Sequence, residues 1–263
     1  MRAPGDRSFL EKWHGAGNDF LVWYRDGAHD VLGGADARRW CDRRTGIGAD
    51  GLAEARLGRG GLEMVLHNAD GSPAEVSGNG LRCLVAASAT HGLVPEGTVD
   101  VATGAGVRRV TIALDPGAQR AWGSSQMGAV TIAGDGDLAT GVVATIGNPH
   151  VVIADPGGPD GGLVELAAGL VAGLDAGANV EFVTVESPER VAIRVVERGA
   201  GRTLACGTGS CATAAVAHRL GLTDAHVTVA NPGGDLDVTL MGDEATLAGP
   251  AVRIVAICLE GLR

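Results

Sequence analysis

The feature that most constrains this chain is an internal duplication whose two copies lie 129 residues apart. Residues 77–80 (Ser-Gly-Asn-Gly) in the first half correspond, without a gap, to residues 206–209 (Cys-Gly-Thr-Gly) in the second. The register continues downstream, where Gly92 corresponds to Gly221. A duplicated chain that presents one reactive type of side chain in each half can aim two groups at one substrate from opposite sides. That arrangement suits a reaction that moves a proton from one face of a carbon to the other.

The duplication predicts two domains of similar size. At 263 residues the chain has room for two domains of about 125 residues each. We expect a first domain over residues 1–126 and a second over 127–250. The last strand, 251–263, is expected to return to the first domain. Residues 115–128 are rich in turn-forming residues and predict an irregular crossing from one domain to the other.

Each half of the sequence predicts many short strands and a helix of small, apolar residues. Segments 81–91 and 211–220 contain neither glycine nor proline, and each ends at a glycine. A helix that is apolar nearly all round is usually buried. Further helices are predicted over 35–43 and 162–174. The expected fold class is α+β, with two pseudo-symmetric domains, each a mostly antiparallel sheet or barrel wrapped around a central helix.

Composition excludes several classes of partner. A formal net charge of −10 argues against nucleic acid and anionic membranes. No apolar stretch approaches the 18 residues of a membrane-spanning helix, and residues 1–8 resemble no secretory signal. Five cysteines without repeated C-x-x-C spacing are typical of reduced thiols, so we expect a cytoplasmic protein. The seven histidines lack metal-ligand spacing, and no dinucleotide-binding or P-loop motif is present, so neither a metal nor a nucleotide cofactor is expected.

The two glycine-rich turns are the first candidates for chemistry. Each precedes a predicted helix, whose first N–H groups and positive dipole end favour a bound carboxylate. A thiol at such a position has a lowered pKa, so Cys206 is a candidate thiolate. Cys206 could instead be a small buried residue that begins a helix, but the duplicated context favours the reactive role. The other four cysteines are predicted to serve packing only: Cys41, Cys83, Cys211 and Cys258.

Polar residues in the loops form a second group of candidates. Four asparagines occupy predicted turns: Asn18, Asn68, Asn148 and Asn179. With Glu197 and Arg198 they supply donors and acceptors for an ammonium group and a carboxylate. An exposed pair at the end of a strand explains Glu197 and Arg198 equally well. His150 could tune a nearby thiol or simply pack.

Six motifs, taken in order, resemble those of diaminopimelate epimerases over nearly the whole chain. They are residues 12–20 (KWHGAGNDF), 45–51 (TGIGADG), 68–83 (NADGSPAEVSGNGLRC), 147–150 (GNPH), 178–182 (ANVEF) and 197–209 (ERGAGRTLACGTG). The resemblance implies a cofactor-independent enzyme that interconverts LL- and meso-diaminopimelate for lysine and peptidoglycan synthesis. It also implies a homodimer whose subunits each bind the substrate in a cleft between two similar domains.

The resemblance further assigns roles to individual residues. The side chains that would hold the substrate are Asn18, Asn68, Asn148, Asn179, Glu197 and Arg198. The backbone amides that would hold the reacting carboxylate belong to Gly78, Asn79, Gly207 and Thr208. Ser77 and Cys206 would face the stereocentre, and His150 and Glu197 would tune this acid–base pair.

Ser77 departs from the family pattern, which has cysteine at both positions of the pair. Serine is nearly the same size but a much weaker acid, so its alkoxide is hardly available at neutral pH. A well-placed general acid or base contributes ~10²–10⁴-fold to a rate. We therefore expect a chain that binds diaminopimelate but epimerises it slowly or not at all. The serine could be engineered or natural, since related proline-racemase-like enzymes include Ser/Cys pairs.

Three other functions compete with this interpretation. An epimerase or racemase of another amino acid could use the same scaffold, although the set of asparagines with Arg198 favours a substrate that has a distal carboxylate and ammonium. A non-catalytic diaminopimelate-binding protein is the alternative from another class. A hydrolase built on Cys206 lacks an evident His–Asp or His–Asn partner.

Overall fold

The computed structural model describes residues 8–25, 32–117, 119–174 and 177–258, and the chain divides into two compact units. The first unit comprises Met1–Gly15, Asp19–Ser125 and Pro250–Arg263, and the second comprises Ala16–Asn18 and Gln126–Gly249. The sequence predicts domain boundaries after residues 126 and 250, and that the two units are separate domains stays a prediction.

The described residues form seventeen strands and four α-helices. In chain order the strands are β1 (Phe9–Gly15), β2 (Asn18–Tyr24), β3 (Gly51–Gly58), β4 (Gly61–Asn68), β5 (Pro73–Ala74), β6 (Gly97–Thr103), β7 (Gly106–Leu114), β8 (Arg120–Ala129), β9 (Thr131–Ala133), β10 (Val142–Thr145), β11 (Pro149–Ala154), β12 (Asn179–Ser187), β13 (Arg190–Glu197), β14 (Gly201–Thr203), β15 (His226–Asn231), β16 (Gly234–Met241) and β17 (Glu244–Ile257). The helices are α1 (Gly34–Cys41), α2 (Gly78–Thr90), α3 (Leu163–Val171) and α4 (Gly207–Arg219), and a 3-10 turn, Asp160–Gly162, precedes α3. No helix among the described residues is long and apolar enough to cross a membrane.

In the first unit, eight strands pair in a closed ring around α2. The order is β1-β2-β3-β4-β6-β7-β8-β17, and β17 pairs with β1 to close the ring. The pairs β2–β3 and β4–β6 are parallel, whereas β3–β4, β6–β7 and β7–β8 are antiparallel. Residues from Gly78 to Ser88 of α2 are buried, because a helix without a charged face can be covered on all sides.

The second unit has a similar arrangement of strands around α4. Its sheet runs β9-β10-β11-β12-β13-β15-β16-β17, with parallel pairing in β11–β12 and β13–β15. In both units an antiparallel hairpin, β3–β4 or β12–β13, is thus flanked on each side by a parallel neighbour. The buried face of α4 packs with the valines of these strands in one core. The predicted α+β class, with two similar units built around central helices, is confirmed.

Residues 115–128 are not the irregular segment that the sequence predicted. Most of them belong to β8, which pairs antiparallel with β7. The sequence did not predict this strand because its inward positions carry small residues with low strand propensity. One of them is Gly123, where a Cβ would lie 2.3 Å from the Ile112 Cδ1 atom. The chain passes from the first unit to the second within β8, between Ser125 and Gln126.

Three other expectations need correction at the ends of elements. Helices α2 and α4 begin at Gly78 and Gly207, three or four residues earlier than predicted, because the glycine-rich turns themselves take up helical geometry. The last strand begins at Glu244 rather than 251, and residues 259–263 of the predicted strand lie outside the described residues. Cys258 is exposed after the end of β17 and is not a packing residue.

Candidate functional site

Ser77 caps the N-terminus of α2. Its backbone is extended, and its hydroxyl oxygen accepts a hydrogen bond from the Gly80 N–H at 3.1 Å. The side chain therefore lies at the end of the helix where the first N–H groups point outwards. Next to it, the buried Asn79 amide oxygen accepts a hydrogen bond from the Arg82 guanidinium at 2.5 Å. The turn between β5 and α2 thus supplies a hydroxyl and backbone donors at one place.

Cys206 caps α4 in the same way. Its backbone is also extended, and its sulfur accepts a hydrogen bond from the Gly209 N–H at 3.3 Å. The Thr208 hydroxyl lies 3.5 Å from the same sulfur. Both helices have thirteen residues and begin with glycine. Ser77 and Cys206 are therefore equivalent in structure as well as in sequence.

The pKa of Cys206 is raised, not lowered as its position at a helix start predicted. Burial raises the pKa of this thiol well above its usual value, and the charges of Glu197 and Glu181 raise it further. The hydrogen bonds from Thr208 and Gly209 act in the opposite direction. Loss of hydration of a thiolate outweighs the helix terminus here, because a buried charge without a cation is costly.

His150 lies in a buried chain of polar side chains in the second unit. Its Nδ1 atom is 2.8 Å from Glu181 Oε1, and both side chains are fully buried. Its Nε2 atom is 3.1 Å from Asn148 Oδ1. Strands β11 and β12 are parallel neighbours whose register aligns His150 with Asn179 and Val152 with Glu181. His150 and Glu181 are therefore diagonal neighbours on the same face of the sheet. His150 therefore connects Glu181 and Asn148 within the second unit.

The end of β13 and the start of β12 carry three predicted substrate contacts. The Glu197 carboxylate accepts a hydrogen bond from the Thr203 hydroxyl at 2.5 Å, and its charge acts on Cys206. The Asn179 side chain accepts from the Arg198 backbone N–H at 2.9 Å. Arg198 itself is exposed. The structure thus brings Glu197 near Cys206 and joins Asn179 to the backbone of Arg198.

Asn18 lies at the tip of the β1–β2 hairpin, the part of that hairpin that belongs to the second unit. The tip is sharply turned, with left-handed backbone at Ala16 and Gly17. A Cβ on Gly17 would lie 3.0 Å from the Leu204 side chain. Asn18 is therefore held close in space to the segment that leads into Cys206.

Asn68 is exposed at the end of β4, in the first unit. Its amide nitrogen donates to the Ser72 hydroxyl at 3.0 Å, and its backbone N–H donates to the Ser72 carbonyl at 2.9 Å. These bonds fix the turn 68–72 that precedes Ser77. The roles of all these site residues stay predictions.

Sequence reasoning missed two residues of the Cys206 site. Glu181 was quoted within a motif but received no role, although an acidic residue between Val180 and Phe182 in a buried strand is itself a signal. Asn231, at the end of β15, accepts a weak hydrogen bond from the Cys206 backbone N–H at 3.4 Å. It lies 25 positions along the chain, so nothing local in the sequence pointed to it.

Solved structures of amino-acid epimerases and racemases share this fold. A hydroxyproline epimerase from Agrobacterium vitis superposes with a TM-score of 0.71 at 16% identity, over 95% of this chain and 90% of that chain. A probable proline racemase from Agrobacterium radiobacter gives 0.73 at 16% identity, over 96% and 93%. At this identity the likeness establishes the fold alone.

Sequence comparison identifies the family within this class. The sequence profile of diaminopimelate epimerase matches residues 11–133 and 142–254. Diaminopimelate epimerases from Clostridium perfringens and Synechocystis are 34% and 36% identical, over 92% and 93% of this chain and 96% of each relative. An O-ureido-serine racemase from Streptomyces lavendulae is 36% identical over 97% of this chain and 96% of its own length. The chain belongs to the diaminopimelate epimerase family, which makes it an isomerase of the epimerase class and confirms the resemblance read from its motifs.

Proposed function

We propose that this protein interconverts LL- and meso-diaminopimelate by two-base proton transfer, and that Ser77 limits the rate. The observation that carries the proposal is the equivalence of Ser77 and Cys206, which cap two matching helices through the same hydrogen bond. Family membership and relatives that carry this activity in their names support the choice of substrate.

In the proposed reaction the substrate carboxylate binds to N–H groups at the starts of α2 and α4. Such groups stabilise the negative charge that develops when the α-proton leaves. Asn18, Asn68, Asn148, Asn179, Glu197 and Arg198 would hold the remaining ammonium and carboxylate groups. Cys206 removes or returns the proton on one face of the carbon, and Ser77 does so on the other.

Ser77 makes both directions of this reaction slow. When Ser77 must act as the base, an alkoxide is required, and a serine hydroxyl hardly ionises at neutral pH. When Cys206 acts as the base, a thiolate is required, and burial with two nearby carboxylates disfavours it. Ser77 must then also donate a proton from a weakly acidic hydroxyl.

The decisive experiment compares LL-diaminopimelate turnover by the unsubstituted chain and by Ser77→Cys. We expect the rate to rise by ~10²–10⁴-fold, the contribution of a well-placed acid or base. Ser88→Cys is the matched control, since Ser88 is buried in the same helix but is not its cap. A rise well under tenfold for Ser77→Cys would show that Ser77 is adequate. Binding measured by calorimetry without turnover in either form would instead indicate a non-catalytic binding protein.

Exchange of the α-proton with deuterated water gives a second measurement of the same proposal. Only the stereoisomer whose α-proton faces Cys206 should exchange in the unsubstituted chain, whereas Ser77→Cys should exchange both. Equal exchange from both isomers in the unsubstituted chain would contradict a defect on one side.

A second candidate function is racemisation of another amino acid. The O-ureido-serine racemase from Streptomyces lavendulae is as similar to this chain as the diaminopimelate epimerases are, at 36% identity. A substrate panel with Ser77→Cys separates the two candidates. Turnover of a monocarboxylic amino acid, with none of diaminopimelate, would favour the second.

We also propose that the protein is cytoplasmic and forms a homodimer, as the resemblance to its family implies. Light scattering after size-exclusion chromatography tests the oligomeric state. A mass near twice the 26.4 kDa of one chain is expected, and a mass of one chain would contradict the proposal.

A further inference from the structure

Glu181 is a buried acid that the proposed mechanism does not use. It is fully buried on β12, and its Oε1 atom lies 2.8 Å from His150 Nδ1. An ionised carboxylate at this place would accept a hydrogen bond from Nδ1. The second oxygen, Oε2, is buried and has no hydrogen-bond partner among the described residues.

The Glu181 carboxylate also lies directly against the start of α4. A Cβ built on Gly209 would lie 2.3 Å from Glu181 Oε1, so only glycine leaves room for the acid there. The N–H of the same Gly209 donates to the Cys206 sulfur. Glu181 therefore touches the residue that holds the thiol in place.

The first unit has no such acid at the equivalent place. Val152 pairs with Glu181 in the parallel ladder β11–β12, as Val22 pairs with Ala53 in β2–β3. Ala53 is thus the counterpart of Glu181. Two positions before Val152 lies His150, and two positions before Val22 lies Phe20. Phe20 is next to the start of α2, since a Cβ on Gly80 would lie 3.4 Å from its ring. Glu181 and His150 near the start of α4 thus occupy the places that the apolar Ala53 and Phe20 occupy near the start of α2.

We propose that Glu181 is a positioning residue of the Cys206 site, which it serves through His150 and Gly209. It fixes the His150 ring by holding Nδ1, and its negative charge keeps the Cys206 sulfur as a thiol in the free protein. Burial and the Glu197 charge act in the same direction. The inference rests on the proposed function for the role of Cys206, but its tests do not depend on turnover.

The first test measures alkylation of Cys206 by iodoacetamide as a function of pH, followed on the Cys206 peptide by mass spectrometry. Glu181→Gln keeps the shape and removes the charge, so the alkylation rate at pH 8 should rise roughly threefold to tenfold, since one unit of pKa is a factor of ten in thiolate. Glu186→Gln is the matched control, because Glu186 is exposed on the same strand. Coinciding profiles for Glu181→Gln and the unsubstituted chain would overturn the proposal.

A second measurement uses the unsubstituted chain and so does not depend on whether a variant folds. Nitrogen-15 NMR of the imidazole should find the hydrogen of His150 on Nδ1. An Nδ1 without hydrogen would show that the contact with the Glu181 carboxylate does not hold and would overturn the proposal. Ser77→Cys could fail to turn over diaminopimelate while Glu181→Gln still shifts the pH profile of Cys206 alkylation. That result would refute the proposed function but leave the role of Glu181 standing.

Discussion

Ser77 and Cys206 differ in one atom, oxygen for sulfur, at equivalent helix starts, and their chemistry depends on what surrounds them. The thiol of Cys206 is buried near two carboxylates, which raise its pKa. Local position, at the positive end of a helix dipole, predicts the opposite direction. Burial prevails because it removes the hydration of the whole charge, whereas the helix end offers only partial charges.

Buried thiols make stability sensitive to alkaline pH, and Cys83 shows this most directly. Burial raises the pKa of Cys83 to about 12, against roughly 8.5 in an unfolded chain. The folded protein keeps this proton while the unfolded chain loses it, so stability is full below the unfolded pKa and falls as pH rises towards the folded pKa. The expected loss is about 1.4 kcal/mol per pH unit for this thiol.

Urea unfolding between pH 9 and 11 measures this effect. Cys83→Ala removes the titrating group, so the free energy of unfolding should fall less steeply with pH than in the unsubstituted chain. The difference between the slopes is the relevant quantity, since Lys12, Tyr24 and the other cysteines titrate in both proteins. Parallel curves would mean that Cys83 does not keep its proton in the fold.

At the scale of elements, two glycines in helices have opposite roles. Gly169 lies in α3 and is exposed, and a Cβ there would meet nothing within 4 Å. Gly209 lies in the first turn of α4, where a Cβ would collide with the buried Glu181 carboxylate. The same substitution should therefore have effects of opposite sign in the two helices.

We expect Gly169→Ala to stabilise the protein by roughly 0.5–1 kcal/mol, the difference in helix propensity between the two residues. Gly209→Ala should destabilise it by about 1–3 kcal/mol, the usual cost of overpacking a filled core. Midpoints of urea unfolding compare the two variants with the unsubstituted chain. A stabilised Gly209→Ala would show that Glu181 can move away from α4.

At the scale of the whole molecule, the chain order makes the first unit depend on the C-terminal strand. Residues from Pro250 onwards belong to the first unit. They pair with β1 and so close its ring of strands, Ala251 enters its core, and the Arg253 guanidinium donates to the buried Glu11 carboxylate at 3.0 Å. The unit is therefore not complete until β17 has been synthesised.

A chain that ends at Gly249 should fail to unfold cooperatively, because its first unit has an open strand edge and a buried Glu11 without its arginine. A chain that ends at Cys258 keeps every paired residue of β17 and is the control. Circular dichroism during urea unfolding measures both. A cooperative transition in the shorter chain, at the midpoint of the control, would contradict this account.

Local patterns predicted the repeated elements well and the irregular ones poorly. Helices α2 and α4 were found because runs of small apolar residues end at glycines. Strand β8 was missed because its inward positions are small residues, chosen to fit Ile112 and not for strand propensity. The early start of α4 was missed because glycine is a poor helix former, and only the packing against Glu181 explains why it is needed there.

The amino-acid sequence by itself determined the duplication, the α+β class, the family and the pair Ser77 and Cys206, since each follows from residue types and their order along the chain. Tertiary structure alone decided the protonation tendency of Cys206, the pairing of His150 with Glu181 and the place of Asn231. Those properties depend on which charges and donors meet a group after burial. Strands that are distant in sequence bring these charges and donors together, so no local sequence pattern can predict them.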